Sequence, residues 1–134
     1  MPEPTTETLP LVTEEDVVRV RQAVRRLAQG LGFSIVDQTK LVTAASELAR
    51  NTVIYGGGGA CDAEVLTREG RRGLRLTFRD QGPGIPDVAK AMTDGWTSGS
   101  GMGLGLPGAK RLVNDFEIDT APGKGTRVTI ARWK

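Results

Sequence analysis

The chain has 134 residues, of which 38% are hydrophobic and 25% charged, and its formal net charge is +2. These values are typical of one globular domain and argue against extensive disorder, while the small, interspersed positive charge argues against a nucleic-acid-binding protein. One cysteine and no histidine exclude a disulfide framework and any histidine-based metal or catalytic site.

The first eight residues, MPEPTTET, are polar and contain two prolines, so we expect a flexible tail over residues 1–8 and a single domain over residues 9–134. The tail lacks the basic and apolar regions of a signal peptide. No apolar run approaches the ~20 residues that a membrane-spanning helix needs. We therefore expect a cytoplasmic protein without membrane contact.

Two amphipathic helices are predicted after the tail. Thr13 and Asp16 have the spacing of a capping box, and apolar residues recur at helical intervals from there to Gly30. Ser34 is the predicted N-cap of the second helix, which ends before the glycines at 56–59. The predicted inward face of this second helix consists of Leu41, Ala44, Ala45, Leu48 and Thr52.

The rest of the chain combines strand-like segments with glycine-rich loops. Segments at 63–67 and 74–78 predict one antiparallel hairpin, and segments at 116–120 and 126–130 predict a second. Between the hairpins we predict a short helical piece at 87–92 and a helix at 106–113. Because strands and helices come in blocks, the order favours an α/β two-layer sandwich with a mixed, mostly antiparallel sheet and helices on one face.

Glu47 and Asn51 are candidate site residues because they lie four apart on the second helix, which places both side chains on one face. A carboxylate beside a carboxamide suits a general base next to an oxygen ligand for Mg²⁺. On spacing alone, a pair of solvated polar residues is the favoured alternative.

Two glycine motifs follow. Asp80 opens the segment DQGPGIPD, where Gly82 and Gly84 allow the backbone to pass close to a flat or charged ligand, although the same residues also make an ordinary turn. Further on, SGSGMGLGLPGAKRL places alternate glycines before a helix, which offers backbone N–H groups to phosphate. A Walker A motif and a Rossmann fingerprint are excluded, because Lys110 is misplaced and no strand precedes GLGLPG.

In this order the motifs resemble the GHKL superfamily of ATPases and kinases. An acid and an amide on a helix precede Asp-x-Gly-x-Gly, then Gly-x-Gly-x-Gly before a helix, then Gly-x-Gly-Thr between the last strands. The resemblance covers the chain from about residue 9 and implies a Bergerat-type ATP-binding fold. Within the superfamily, SELARNTVIYGGGG, DQGPGIPD and GLGLPGAKRLVNDFEI are most similar to the RsbT-like serine/threonine switch kinases of bacterial stress signalling.

The resemblance implies a role for each motif residue. Glu47 would be the general base for the acceptor hydroxyl, Asn51 would hold Mg²⁺, and Asp80 would accept the adenine amino group of ATP. Residues 86–100 would form a lid over the nucleotide. The other implied nucleotide-binding residues are Gly82, Gly84, Gly101, Met102, Gly103, Leu104, Gly105 and Thr126.

The resemblance also implies partners. RsbT-like kinases transfer the γ-phosphate of Mg-ATP to STAS-domain antagonist and scaffold proteins, and when released they bind and activate a PP2C-type phosphatase. Related kinases carry an arginine where this chain has Gly99, so the transferred charge needs another cation, and Arg50 and Lys110 are the candidates near in sequence. Trp96, in the implied lid, is a candidate partner contact.

Two other functions are compatible with the same motifs. An anti-sigma factor would sequester a sigma subunit and use kinase activity only secondarily. A nucleotide-gated binding module would bind ATP without useful transfer. An autophosphorylating histidine kinase is excluded because the chain has no histidine acceptor.

Overall fold

The computed structural model describes residues 5–92 and 105–134. Within those ranges five strands form one sheet, in the order β1-β2-β3-β5-β4, and every neighbouring pair is antiparallel. The strands are β1 Thr5–Leu11, β2 Gly59–Arg68, β3 Arg71–Asp80, β4 Asp115–Thr120 and β5 Thr126–Trp133. The helices are α1 Glu14–Gly30, α2 Ile35–Ile54, α3 Val88–Ala91 and α4 Leu106–Arg111. None of these helices is long and apolar enough to cross a membrane.

The predicted two-layer sandwich is confirmed, and its sheet is antiparallel throughout the described strands. Alternate strand residues face the helices and form the core: Ala63 of β2 lies opposite Leu76 of β3, which lies opposite Ile130 of β5. All three are buried together with residues of α1 and α2. The predicted inward face of α2 is also confirmed, because all five of its residues are buried.

The other alternate strand residues face away from the helices and form a polar face of the sheet. Arg79 Nε lies 2.9 Å from Asp62 Oδ2, and Arg75 Nη2 lies 3.1 Å from Glu64 Oε2. The guanidinium of Arg79 holds the pKa of Asp62 below its usual range. This face therefore carries cross-strand ion pairs instead of an apolar surface.

Strand β1 corrects the prediction of a flexible tail for residues 5–8, and residues 1–4 lie outside the described part of the chain. Thr5–Leu11 pairs with β2 over its whole length, and Leu11 is fully buried. The Thr8 hydroxyl donates a 2.8 Å hydrogen bond to Asp62 Oδ1. An edge strand bonds to one neighbour only, so it tolerates Pro10 and the polar residues that made this segment read as a tail.

The helix termini follow their predicted caps. Thr13 Oγ1 accepts from the Asp16 N–H, and Asp16 Oδ2 accepts from the Thr13 N–H at 3.1 Å. Ser34 Oγ accepts from the Asp37 N–H at 3.1 Å and starts α2. At the other end of α2, the Gly56 N–H donates to the Asn51 carbonyl at 3.0 Å. Gly56 lies against the Asp80 side chain, so the last turn of α2 meets the end of β3.

Candidate functional site

A cavity of about 210 Å³ lies where the last turn of α2 meets the adjoining ends of β3 and β5. Apolar side chains make up most of its wall, and a few polar groups converge on it, which is typical of small-molecule sites. Its lining residues are Leu48, Asn51, Thr52, Tyr55, Gly56, Phe78, Asp80, Pro83, Gly84, Ile85, Pro86, Leu106, Thr126 and Val128.

Asp80, the last residue of β3, presents its carboxylate to this cavity. Its Oδ1 accepts the N–H of Gly82 at 2.9 Å and the N–H of Thr126 at 3.2 Å. Two backbone donors fix the orientation of the side chain. In the described part of the chain both bonds go to Oδ1, so Oδ2 is the oxygen left to accept from a ligand.

Thr126 is held by a second threonine that the sequence analysis did not single out. Thr120 Oγ1 accepts the Ile85 N–H at 2.9 Å and donates to the Gly125 carbonyl at 2.9 Å. It also lies 2.9 Å from Thr126 Oγ1. Because a hydroxyl has one hydrogen, Thr126 must be the donor in this last bond. The Thr126 oxygen therefore faces the cavity as an acceptor.

The two predicted glycines of the DQGPG segment serve close backbone packing. Gly84 lines the cavity with φ +77°, and any side chain there would collide with the Ala121 carbonyl. At Gly82 a Cβ would lie only 2.7 Å from Gly56 Cα. Gly82 therefore packs against Gly56 next to Asp80, whereas Gly84 forms part of the cavity wall.

Glu47 and Asn51 lie one helical turn apart and open onto two different spaces. Asn51 lines the cavity, whereas Glu47 lines a groove between α1 and α2. The Glu47 carboxylate also contacts Gly105, which precedes α4 and has a φ of +67°, a conformation that favours glycine. Arg50 Nη1 is 3.6 Å from Glu47 Oε1. Glu47, the candidate base, therefore lies between the groove and Gly105, the residue that precedes α4.

The remaining predicted residues divide between described and undescribed parts of the chain. Gly105 and Thr126 belong to the described site, and Lys110 lines a groove beside Trp133 on the polar side of the sheet, away from the cavity. The other predicted positions lie outside the described residues. They are Gly101, Met102, Gly103, Leu104, Gly99, Trp96 and the part of the implied lid at 93–100.

Some lining residues missed at the sequence level had a visible signal. Leu48, Thr52 and Tyr55 are spaced with Asn51 on one face of α2, so the helical period predicts them together. The sequence analysis assigned Leu48 and Thr52 to the core and did not extend that face to a ligand. Thr120 had no such signal, because its role depends on a bond across the sheet end.

The site offers little scope for thiol chemistry or for an all-protein metal cage. Burial raises the pKa of Cys61 to about 12, so this thiol is a core residue. Within the described ranges, no group of three or more Cys, Asp or Glu side chains is placed to hold a metal ion. A divalent cation at Asn51 would thus depend on ligands from a bound substrate, as is common for Mg²⁺ with phosphates.

Comparison with known proteins gives consistent similarities. Residues 36–134 match the family model of the histidine kinase-, DNA gyrase B-, and HSP90-like ATPases. The chain is 45% identical over 123 residues to the serine/threonine-protein kinase RsbT of Bacillus subtilis strain 168, with 92% of each chain covered. It is 30% identical over 102 residues to an anti-sigma F factor of Bacillus velezensis, covering 72% of this chain and 69% of that protein.

Two solved structures share the fold. The crystal structure of the RsbU and RsbW domains of a Mycobacterium tuberculosis protein matches with a TM-score of 0.64 and 21% identity. That match covers 99% of this chain, which spans 33% of the other. The SiaB–SiaC complex of Pseudomonas aeruginosa contains a chain that matches with a TM-score of 0.54 and 12% identity, covering 97% of this chain and 89% of that one.

Proposed function

Because the chain belongs to the histidine kinase-, DNA gyrase B-, and HSP90-like ATPase family, we propose that its cavity binds the adenine end of ATP. Within this family it is an RsbT-like serine/threonine protein kinase. We propose further that it transfers the γ-phosphate to a serine or threonine of STAS-domain antagonist and scaffold proteins in a bacterial partner-switching pathway.

The observation that carries the ATP proposal is a pair of hydrogen-bond acceptors that line the cavity. Asp80 Oδ2 and Thr126 Oγ1 both offer lone pairs, while the backbone N–H donors nearby are already used by Asp80 Oδ1. Adenine presents an amino group to such acceptors, whereas guanine presents a carbonyl oxygen that they would repel. The apolar side chains that line the cavity, among them Leu48 and Val128, can pack against the two faces of the adenine ring.

The phosphates would extend from this cavity toward Glu47 and the start of α4. Asn51 lies on this path, one helical turn of about 5.4 Å from Glu47. It fits a role as an oxygen ligand for Mg²⁺, which would neutralise charge on the phosphate oxygens when bound. Gly105 lies at the same point, against the Glu47 carboxylate.

Glu47 would accept the proton of the partner hydroxyl as that oxygen attacks the γ-phosphate. Arg50, 3.6 Å from this carboxylate, is the described cation best positioned to offset charge on the transferred group. Lys110 lies on the polar side of the sheet and is a poorer candidate. We include in the same proposal that the protein is cytosolic and that it binds a PP2C-type phosphatase after its release from its STAS-domain partners. Both parts are supported by the similarity to RsbT.

The proposal is tested by γ-labelled Mg-ATP with purified STAS-domain proteins, read by mass spectrometry. Glu47→Gln keeps the size of the side chain but removes the base, so we expect transfer to fall by roughly two orders of magnitude or more with ATP affinity unchanged. Glu117→Gln, an exposed residue of β4, is the matched control and should transfer normally. Equal transfer by wild type and Glu47→Gln would contradict the role of Glu47.

A second candidate is sequestration of a sigma subunit, favoured by the 30% identity to an anti-sigma F factor. It predicts a complex with a sigma subunit that forms in ATP and is lost when a STAS-domain protein is added. Size-exclusion chromatography of the chain with purified sigma subunits decides between the two functions. A stable complex without detectable phosphotransfer would favour the anti-sigma factor.

A further inference from the structure

We propose that the groove between α1 and α2 is the docking site for an acidic segment of the partner protein that carries the acceptor hydroxyl. This inference rests on the proposed kinase function and names the partner's chemistry at the contact. The groove has a volume of about 360 Å³, and the base candidate Glu47 is one of its lining residues. Its principal lining residues are Arg21, Arg25, Thr39, Thr43, Glu47 and Arg50.

The groove is built from one polar stripe on each helix. Arg21 and Arg25 lie four residues apart on α1 and thus share a face. On α2 the facing stripe runs through Thr39 and Thr43 to Arg50, at intervals of four and seven residues. The α1 stripe contributes two guanidinium groups and the α2 stripe adds Arg50, so the surface can receive carboxylates by charge and by hydrogen bonds from the guanidinium N–H groups. The Thr39 hydroxyl is not available to donate, because it bonds the Ile35 carbonyl at 2.9 Å.

The charges of α1 distinguish the groove from an ordinary solvated face. The helix carries four arginines, which are Arg19, Arg21, Arg25 and Arg26. Arg19 Nη1 lies 2.8 Å from Asp16 Oδ1, and Arg26 Nη2 lies 2.9 Å from Glu7 Oε2. Arg21 and Arg25 form no ion pair within residues 5–92 and 105–134, and both are exposed. The two arginines left without a carboxylate are thus the two that line the groove.

The balance of charge in the groove calls for an acidic occupant. Its lining has three arginines and one carboxylate, Glu47, whose pairing with Arg50 engages one of the three. Arg21 and Arg25 are therefore available for carboxylates of a partner, which they would attract during encounter and orient once bound.

The position of Glu47 explains why this partner should be the phosphate acceptor. Its carboxylate faces the groove on one side and contacts Gly105 on the other. A hydroxyl that arrives along the groove meets the base from the side away from the nucleotide cavity. The hydroxyl oxygen can then attack the γ-phosphate beside the base, which takes its proton, while the bond from the γ-phosphorus to the leaving oxygen of ADP breaks on the opposite side. A nucleic acid would also match the arginines, but its phosphates would be repelled by the Glu47 carboxylate that lines the same groove.

The test compares Arg21→Glu/Arg25→Glu with wild type in steady-state transfer from Mg-ATP to a purified STAS-domain protein. We expect the KM for the protein partner to rise by roughly tenfold or more, because two attractive charges become repulsive. The kcat at saturating partner and the Kd for ATP should stay within about twofold of wild type. Arg21→Lys/Arg25→Lys, which keeps the charge, should lie close to wild type.

The matched control is Arg71→Glu/Arg72→Glu, an equal change of charge at exposed positions at the start of β3, the opposite end from Asp80. An unchanged KM in the groove variant, an equal rise in this control, or a loss confined to ATP affinity would each overturn the docking site. Competition by single-stranded DNA at low concentration would reassign the groove to nucleic acid.

The outcome for the groove is separable from that for the kinase. If wild type transfers no phosphate, the proposed function fails, and docking is then measured directly by titrating the partner into the ATP-bound chain. Loss of binding in Arg21→Glu/Arg25→Glu but not in the control would still support the groove. Equal binding by both variants would refute it.

Discussion

Asp80→Asn is the substitution that most directly tests the proposed recognition of adenine by the cavity. Asparagine can keep its oxygen in the place of Oδ1, where the Gly82 and Thr126 N–H groups lie at 2.9 Å and 3.2 Å. Its NH₂ group then replaces Oδ2, so that a donor faces the amino group of the base. A hydrogen bond to a charged acceptor contributes about 1.5–3 kcal/mol, which predicts a roughly 10–150-fold weaker Kd for ATP.

The assay is isothermal titration with ATP and with GTP, for wild type and Asp80→Asn. GTP affinity should fall less than ATP affinity or improve, because the new NH₂ group can donate to the guanine carbonyl. Thermal unfolding without nucleotide is the control, and the midpoint should change little since both backbone bonds to the side-chain oxygen persist. Unchanged ATP affinity, or an equal loss for both nucleotides, would refute recognition of the amino group by Asp80.

Two further predictions concern stability. Gly84→Ala should lower the free energy of unfolding by about 1–3 kcal/mol and weaken ATP binding, because φ is +77° and the new Cβ meets the Ala121 carbonyl. Urea unfolding measures the change in stability. Gly108→Ala is the control, because a Cβ at Gly108 meets no other atom. Asp16→Asn should lower stability at neutral pH, because hydrogen bonds from the Val12 and Thr13 N–H groups hold the pKa of Asp16 below its ordinary value of 3.8. This stabilisation is present above pH 3.8 and is lost as the pH falls through the lower, folded-state pKa, so the difference from wild type should narrow in that range. A difference that stays constant from pH 7 to pH 3 would contradict it.

Local signals predicted most of the fold correctly. The capping box of Thr13 and the N-cap Ser34 start their helices where expected, because each bond joins residues three apart. The first hairpin is longer than predicted, with strands from Gly59 to Arg68 and from Arg71 to Asp80. Strand β1 escaped prediction because its stability comes from pairing with a strand about 50 residues later in the chain and not from its own sequence.

The site was predictable in its chemistry more than in its geometry. The spacing of Glu47 and Asn51 placed them on one face of a helix, yet the packing of α1 and α4 decides that they open onto different spaces. Likewise, the motif named Asp80 but not which carboxylate oxygen is engaged, since that depends on the Thr126 N–H across the sheet. The roles of these residues in binding and transfer remain predictions until the variants are measured.

The sheet order also sets when this protein can first bind a nucleotide during its synthesis. Asp80 is oriented in part by Thr126, which the ribosome adds 46 residues later. Strand β5 enters the sheet between β3 and β4, so β4 has no neighbour until β5 has been made. Before β5 has been synthesised, the chain can pair β1, β2 and β3 but lacks Thr126, one of the two acceptors in the proposed adenine contact. Nucleotide can stabilise the finished domain, but it cannot assist the earlier steps of its folding.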